Sequence, residues 1–165
     1  MLSFCWHCIF KGLLLLIAAN GSPVLIRKVT GTRPLKPIDN GCYLSDGYRL
    51  FGNTKTWPGL LSALFFTTVI AFIFGINLLT GFFFAMLTMT GDMLASFIKR
   101  RLGKPESSRA RGLDTLPESL LPLWLLSDAL GLNVIDIAIT AGLFFLCEEF
   151  ISPILYKIHI RNQPY

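Results

Sequence analysis

Residues 78–98 read LLTGFFFAMLTMTGDMLASFI and are followed directly by three cations, Lys99-Arg100-Arg101. The run is as long as the ~20 apolar residues that cross a bilayer as a helix, yet it carries a carboxylate, Asp92, near its end. An ionised group in or beside hydrocarbon costs several kcal/mol, so a chain retains one there for a purpose. The stretch therefore predicts a membrane helix whose last turns belong to a functional site.

The rest of the chain also has the composition of an integral membrane protein. Of its 165 residues, 53% are hydrophobic and only 15% are charged, against about 25% charged in an ordinary soluble domain. Four further apolar runs cover residues 2–19, 57–75, 116–130 and 134–156. The predicted fold is an all-α integral membrane protein with about five transmembrane helices. It forms one domain, 1–165, with two long polar loops, 20–56 and 99–115.

Positive charge is distributed unevenly between the connections. Lys and Arg occur between the first two runs, between the third and fourth, and after the fifth, at positions 27, 28, 33, 36, 49, 55, 99, 100, 101, 104, 109, 111, 157 and 161. The amino terminus and the two short connections have none, and Lys11 lies inside a run. By the positive-inside rule, both long loops and the carboxyl terminus face the cytoplasm, and the amino terminus lies outside.

This arrangement predicts a multi-pass protein of the cell membrane whose active site faces the cytoplasm. The net charge of +5 then serves orientation and phosphate binding at the lipid surface, and nucleic acid is not an expected partner.

Polar residues near the end of the third run share one helical face. At about 100° per residue, with Asp92 at zero, Ser96 falls near 40° and Lys99 near −20°, while apolar side chains occupy the far side. A direct pair of Asp92 with Lys99 or Arg100 would span more than ~10 Å of helix rise. The pattern therefore favours a carboxylate that binds Mg²⁺, beside cations that bind phosphate.

The same residues resemble the signature of the phosphatidate cytidylyltransferase superfamily, in Gly91-Asp92-x-x-x-Ser96-x-x-Lys99-Arg100 and the later Gly112-Leu113-Asp114. The chain is most similar to the archaeal branch of this superfamily, the CDP-archaeol synthases. Further elements that carry this resemblance are Ala19-Asn20-Gly21-Ser22-Pro23, Asp39-Asn40-Gly41 and GNTKTWPG at 52–59. Bacterial members have a second Asp three residues after the first of their later acidic cluster, where this chain has Pro117. One carboxylate fewer leaves the number and identity of the bound cations open.

The resemblance implies transfer of the cytidylyl group of CTP to an unsaturated archaeal ether-lipid phosphate, 2,3-di-O-geranylgeranylglyceryl phosphate. The products would be CDP-archaeol and pyrophosphate. A phosphate monoester is already largely ionised near neutral pH, so the reaction needs positioning, a metal ion and cations rather than a general base. The predicted catalytic residues are Asp92, Lys99 and Asp114, and Asp92 and Asp114 are the predicted Mg²⁺ ligands. The predicted nucleotide-binding residues are Asn20, Asp39, Lys55, Thr56, Ser96, Arg100 and Arg111.

Several of these residues have an ordinary structural alternative. Asp39-Asn40-Gly41 by itself indicates a turn, and Asn20 at the end of the first run can cap a helix or read the edge of cytosine. Lys55-Thr56 begins the second run, where free N–H groups at a helix start could hold a triphosphate. Its alternative is a loop with one anchoring lysine. Arg109 and Arg111 are either solvated loop charges or a clamp on the substrate phosphate.

Two other functions fit a small basic membrane protein. In a transporter or channel subunit, charges would line an ion path through the bilayer, whereas here they collect on one side. An accessory protein that only docks on anionic lipid would not need Asp92, Asp39 or Asp114. The oligomeric state stays open between a monomer and a homodimer.

Two further predictions concern residues outside this site. Cys5 and Cys8 have CxxC spacing with no second pair, which favours apolar packing over a metal site or a disulfide. Lys11 and the glutamates Glu148 and Glu149 lie at comparable membrane depths, so they are expected to form a buried pair between the first and fifth runs.

Overall fold

The computed structural model describes residues 4–31, 35–106, 108, 110 and 112–157, the last seven by their backbone alone. Six α-helices lie in this part of the chain: α1 Trp6–Thr30, α2 Trp57–Ile73, α3 Leu78–Arg101, α4 Thr115–Leu125, α5 Ser127–Leu130 and α6 Val134–Lys157. The described residues form no strand, only two isolated β-bridges in the α1–α2 loop, Pro37 with Thr56 and Tyr43 with Arg49. The predicted all-helical class is confirmed.

The outer surfaces of the helices are apolar. Within the described residues, α1 and α3 are long and apolar enough to cross a membrane, and α2 is a shorter apolar helix. Phe65, Phe72 and Phe83 are each more than half exposed. A water-soluble protein rarely leaves large contiguous apolar patches uncovered, whereas the same surfaces suit contact with lipid tails.

The helices pack as a bundle around α1 and α3. α1 contacts α2, α3 and α6, while α4 contacts both α3 and α6. Their common core contains Leu15 and Leu16 of α1, Phe84 of α3, Leu123 of α4 and Phe144 of α6. Because lipid tails are as apolar as these side chains, close packing and small residues at the crossings hold such helices together, rather than removal from water.

α1 continues to Thr30, well past residue 19, where the first run was predicted to end. Asn20 was predicted to stand at the end of the helix, but the helix continues through it and through Pro23, which removes only one backbone donor. A Cβ on Gly59, at the start of α2, would lie 3.3 Å from the Cβ of Pro23, so α2 packs closely on this part of α1. The helix finally ends at Gly31, whose φ of 62° is left-handed.

The fourth predicted run, 116–130, is divided between two helices. α4 continues through Pro122 to Leu125, and α5 begins at Ser127. The amide of Leu126 still donates to the carbonyl of Pro122 at 3.0 Å. A proline inside a helix commonly kinks or breaks it, but here the interruption follows Leu125 instead of lying at the proline.

One of the two predictions about residues outside the site needs correction. Cys5 and Cys8 form a disulfide, because the start of α1 brings their Cα atoms to 5.2 Å, within the range that a disulfide requires. The prediction of simple apolar packing for them is wrong. Glu148 accepts a hydrogen bond from Thr115 Oγ1 at 2.9 Å, and the pairing of Lys11 with Glu148 or Glu149 stays a prediction.

Candidate active site

The α1–α2 loop is organised around one carboxylate, Asp39, whose side chain is fully buried. It accepts hydrogen bonds from the N–H groups of Gly41 (3.1 Å), Phe51 (3.1 Å) and Gly52 (2.9 Å), and from Nη2 of Arg49 (2.5 Å). Burial alone would raise the pKa of Asp39, but these donors outweigh it and lower the pKa below its ordinary value. Both oxygens are therefore committed to the loop. Residues 39–41 therefore form a turn, the structural alternative given above, and not a surface that faces a ligand.

Arg101, the last residue of α3, fastens this loop to the helix. Its Nη1 donates to Oδ2 of Asp46 (2.6 Å), and its Nη2 donates to the carbonyls of Tyr48 (3.2 Å) and Arg49 (2.7 Å). The guanidinium also lies over the ring of Phe97, 5.0 Å from its centroid. The loop before α2 is thereby held against the carboxyl end of α3.

This docking brings Lys55 to Asp92. Their side chains form an ion pair, although Lys55 precedes α2 and Asp92 lies on α3. Neither Lys99 nor Arg100, the neighbours along the chain, is the partner of Asp92. The two side chains keep 20% and 24% of their surface exposed, so both can be reached by a ligand.

A second lysine–carboxylate pair lies beside the first. Lys99 Nζ is 2.6 Å from Oδ1 of Asp114, the residue before α4, and it donates to the carbonyl of Ser108 at 3.2 Å. The other carboxylate oxygen of Asp114 accepts from the N–H of Ala110 at 2.9 Å. Each predicted metal ligand, Asp92 and Asp114, therefore has a lysine ammonium as its partner.

Ser96 and Arg100 are buried residues of α3, and Ser96 lies between Asp92 and Lys99 along the helix while Arg100 follows Lys99. Nη2 of Arg100 donates to the carbonyl of Pro105 at 2.7 Å, while its buried Nε has no hydrogen-bond partner. A buried donor without a partner costs about 1–3 kcal/mol. An anionic oxygen at this position would remove that cost.

The start of α2 does not have the free N–H groups that the sequence suggested. The N–H of Trp57 donates to the carbonyl of Lys36 (3.1 Å), Pro58 has no N–H, and the N–H of Gly59 donates to Thr56 Oγ1 (3.3 Å). The prediction of a triphosphate cradle formed by this helix end is therefore wrong. Thr56 is the N-cap of α2, and Lys55 remains as the ligand candidate of this segment.

Of the two other predicted nucleotide residues, one lies inside a helix and one lies outside the described residues. Asn20 lies within α1 rather than at its end, and its Nδ2 donates to the carbonyl of Leu16 at 3.2 Å, so it does not cap the helix. Arg111 lies outside the described residues, as does Arg109.

One acidic residue was not predicted, Glu118 of α4, of which only 4% is exposed. It reaches the site because α3 and α4 cross at Gly91, next to Asp92. A Cβ on Gly91 would lie 2.5 Å from the carbonyl carbon of Pro117 and 2.6 Å from the Cα of Glu118. A signal was present in the sequence, since Glu118 follows Asp114 by four residues, which places both on one side of a helix.

The donors in this region fit a divalent cation of the magnesium type. Asp92 and Asp114 are hard oxygen ligands, and Mg²⁺ is commonly held by one or two carboxylates together with substrate phosphates. Within the described part of the chain, no three His, Cys, Asp or Glu side chains are grouped closely enough to hold a metal ion by themselves. Because Lys55 and Lys99 occupy the two carboxylates, cation binding requires the ammonium groups to move away.

Comparison with known proteins gives a consistent result. The family model described as CarS-like CDP-archaeol synthase matches residues 6–78 and 73–165. The CDP-archaeol synthase of Saccharolobus islandicus (strain L.S.2.15 / Lassen #1) is 35% identical over 154 residues, which are 89% of each chain. That of Sulfolobus acidocaldarius is 34% identical over 155 residues, 90% of this chain and 91% of the relative.

Among solved structures, one described as an intramembrane enzyme for archaeal membrane lipid biosynthesis superposes with a TM-score of 0.69 at 28% identity. The match covers 86% of this chain and 90% of that one. The chain is thus similar to these proteins over nearly all of its length, including the segments that form the two lysine–carboxylate pairs.

Proposed function

The chain belongs to the CDP-archaeol synthase family, and from this membership we propose how its residues carry out the reaction. The protein is a membrane enzyme, a cytidylyltransferase of archaeal lipid biosynthesis whose substrates are CTP and a lipid phosphate. The resemblance drawn from the sequence motifs is confirmed. The transporter alternative is not favoured.

The observation that carries the assignment of residues is the neighbouring pair of salt bridges, Lys55–Asp92 and Lys99–Asp114. Carboxylates of this kind hold a divalent cation, and lysines bind phosphate oxygens. We propose that the cation is Mg²⁺, held by Asp92 and Asp114, and that Lys55 and Lys99 bind the phosphates of CTP. Without nucleotide, each lysine neutralises the carboxylate that later receives the cation, so no half-buried charge is left without a partner.

The transfer itself needs little covalent assistance from the protein. An oxygen of the lipid phosphate attacks the α-phosphorus of CTP, the bond from that phosphorus to the β-bridging oxygen breaks, and pyrophosphate leaves. The bound cation would neutralise phosphate charge, and Lys55 and Lys99 would hold the nucleotide in line. We propose that the buried Nε of Arg100 and the hydroxyl of Ser96 face phosphate oxygens beside them.

The remaining predicted ligands divide into two groups. Arg111 stays a proposed clamp on the substrate phosphate. Asn20 stays a proposed contact to cytosine, because its bond to Leu16 uses the amide nitrogen and leaves the oxygen for a donor. Asp39 and Thr56 are assigned to the structure of the loop and to capping α2, since their acceptor oxygens already have donors there.

We propose five membrane passes within one domain, made by α1, α2, α3, α4 with α5, and α6, with the amino terminus outside. The Lys and Arg of the long loops support this orientation. The Cys5–Cys8 disulfide supports it independently, because disulfides persist on the oxidising side of a membrane. The paired lysines and carboxylates then lie at the cytoplasmic surface, and one chain supplies all of them.

The test uses the full chain in lipid nanodiscs with Mg²⁺, 2,3-di-O-geranylgeranylglyceryl phosphate and CTP labelled at the α- or γ-phosphorus. We expect label in the lipid extract from α-labelled CTP only, with γ-label recovered in pyrophosphate. Saturated and acyl-linked lipid phosphates in parallel reactions define the preferred acceptor. Absence of lipid-bound α-label with every acceptor would contradict the proposed reaction.

A further inference from the structure

The exposed side of α3 continues without a break to the carboxyl end of the helix. Its exposed side chains recur every three or four residues and fall within about 80° of one another around the helix axis; they are Leu79, Phe83, Met86, Thr90 and Leu94. The same spacing continues to Phe97 and then to Arg101, the last residue of α3. Arg101 therefore lies at the end of the stripe that contacts lipid tails.

The length of the helix places Arg101 at the level of the lipid headgroups. The roughly 20 residues from Leu78 to Phe97 rise about 30 Å, which is the thickness of the hydrocarbon core of a bilayer. Arg101 follows Phe97 by one helical turn. Its guanidinium therefore reaches the headgroup region, where the long cationic side chains at the ends of membrane helices are commonly found.

A hairpin turn of the α1–α2 loop, residues 42–50, is attached to this arginine. Across the turn, the N–H of Leu44 donates to the carbonyl of Tyr48 at 3.0 Å. Arg101 holds the turn through the carboxylate of Asp46 and two backbone carbonyls. The hairpin turn is thereby fixed beside the exposed side of α3, at the depth where that side leaves the hydrocarbon.

The hairpin turn exposes large side chains, while its charged groups are already paired. Tyr43, Leu44 and Tyr48 are 64%, 39% and 46% exposed, whereas Asp46 and Arg49 each form an ion pair within the protein. Tyrosine is enriched where a membrane meets water, because its ring is apolar and its hydroxyl is polar. The side chains that the turn offers to a partner thus suit the boundary between headgroups and acyl chains.

We propose that the hairpin turn inserts Tyr43, Leu44 and Tyr48 into the headgroup region of the leaflet that the carboxyl end of α3 reaches, so that the bilayer itself is its partner. The α1–α2 loop also carries Lys55 to Asp92. Insertion of the turn would therefore hold this lysine–carboxylate pair at the depth of the lipid phosphates. The contact is with the bilayer and not with a substrate, so it does not depend on the proposed reaction.

The test is the depth of a nitroxide label at position 44 of the full-length protein in nanodiscs. The variant combines Leu44→Cys with Cys42→Ser and Cys147→Ala, which remove the two free cysteines. Power-saturation electron paramagnetic resonance compares collisions of the label with oxygen, which concentrates in the membrane, and with a water-soluble nickel chelate. In the same background, Phe83→Cys on the exposed side of α3 gives the lipid reference, and Lys104→Cys, an exposed position after α3, gives the water reference.

We expect the ratio of oxygen to nickel collisions at position 44 to exceed the ratio at position 104 severalfold and to approach the ratio at position 83. Equal ratios at positions 44 and 104 would overturn the inference, because the turn would then lie in water. Few collisions with either reagent would also overturn it, since a protein surface such as a second copy of the chain would then cover the turn. If Leu44→Cys melts well below the wild type, the same measurement on Tyr43→Cys decides between these outcomes.

Discussion

The negative charges of Asp39 and of the carboxylates at the α3–α4 crossing are neutralised by different kinds of partner. Asp39 is enclosed by three backbone N–H groups and one guanidinium, all from its own loop. Among the residues that the structure describes, the partners of Asp92 and Asp114 are lysines and, for Asp114, one backbone N–H group, and both side chains remain partly exposed. The difference teaches how similar side chains can serve separate purposes: a carboxylate with all its donors inside the loop maintains the loop, whereas one paired with a lysine side chain could exchange that partner for a ligand, as we propose.

The largest expected effect comes from Asp92→Asn, which retains the shape of the side chain and removes its charge. We expect turnover to fall at least about 10³-fold, because an electrostatic contact at the reacting phosphates is lost, while the melting temperature stays within a few degrees of the wild type. Radiolabel transfer and melting are measured on the same preparation, with Asp128→Asn as the control. Robust turnover in Asp92→Asn would place Asp92 with Asp39, among the structural carboxylates.

Gly91→Ala tests whether the α3–α4 crossing positions the site. The new Cβ would meet backbone atoms of Pro117 and Glu118, so α4 must shift, and a displacement near 1 Å costs about 10²-fold in rate. We expect turnover and melting temperature to fall together. Gly142→Ala is the matched control, since its Cβ would meet nothing within 4 Å. Equal behaviour of the two variants would show that the crossing tolerates a side chain.

Asp39→Asn should mainly lower stability, whereas Asp92→Asn should mainly lower turnover. Its charged hydrogen bonds are buried, so we expect the free energy of unfolding to fall by about 2–3 kcal/mol. Asp46→Asn, which removes a more exposed partner of Arg101, should cost less than about 1 kcal/mol. Denaturation of both variants in the same detergent provides the comparison, and equal stability of the two would remove the special role of Asp39.

The pH dependence of the free energy of unfolding gives a second test of the structural role of Asp39. The pKa of Asp39 is lowered in the folded protein from an ordinary value of 3.8. The unfolded chain therefore takes up this proton first as the pH falls, and the stabilisation is complete above the ordinary pKa. It is lost as the pH falls through the lowered, folded-state value. The stability difference between wild type and Asp39→Asn should stay constant down to about pH 5 and shrink below about pH 4.

The smallest effect is expected at the other end of α1. Replacing Cys5 and Cys8 together by Ser removes a disulfide that closes a very short loop, so the loss of stability should not exceed about 2 kcal/mol. Turnover should be unchanged, because the disulfide lies far along α1 from the lysine–carboxylate pairs. A large loss of turnover in this double variant would mean that the two ends of the bundle are coupled.

The sequence predicted the arrangement of residues best where they lie close together along the chain. The period of a helix correctly placed Asp92, Ser96, Lys99 and Arg100 on one helix, and the family resemblance supplied Asp114. The partner of Asp92 could not be deduced in this way, because Lys55 lies 37 residues away and reaches it only through the folded loop.

Two other differences between the sequence predictions and the structure also have specific causes. The first helix was predicted to end at residue 19 with Asn20 after it, but α1 continues to Thr30 and packs on α2 at Pro23. Glu118 was not predicted because the bacterial pattern has its second acid at position 117, where this chain has a proline. The acid stands at the next residue, and only the α3–α4 crossing shows that it faces the site.

We propose that Lys55 and Lys99 stay paired with Asp92 and Asp114 until a cation binds the carboxylates and the nucleotide binds the lysines. The most direct test is Lys55→Met, with Mn²⁺ binding measured without nucleotide and CTP binding measured at saturating Mn²⁺. We expect Mn²⁺ to bind more tightly than in the wild type, because Lys55 no longer competes for Asp92, and CTP to bind more weakly, because a phosphate-binding side chain is gone. Unchanged affinity for both, or weaker Mn²⁺ binding, would contradict it.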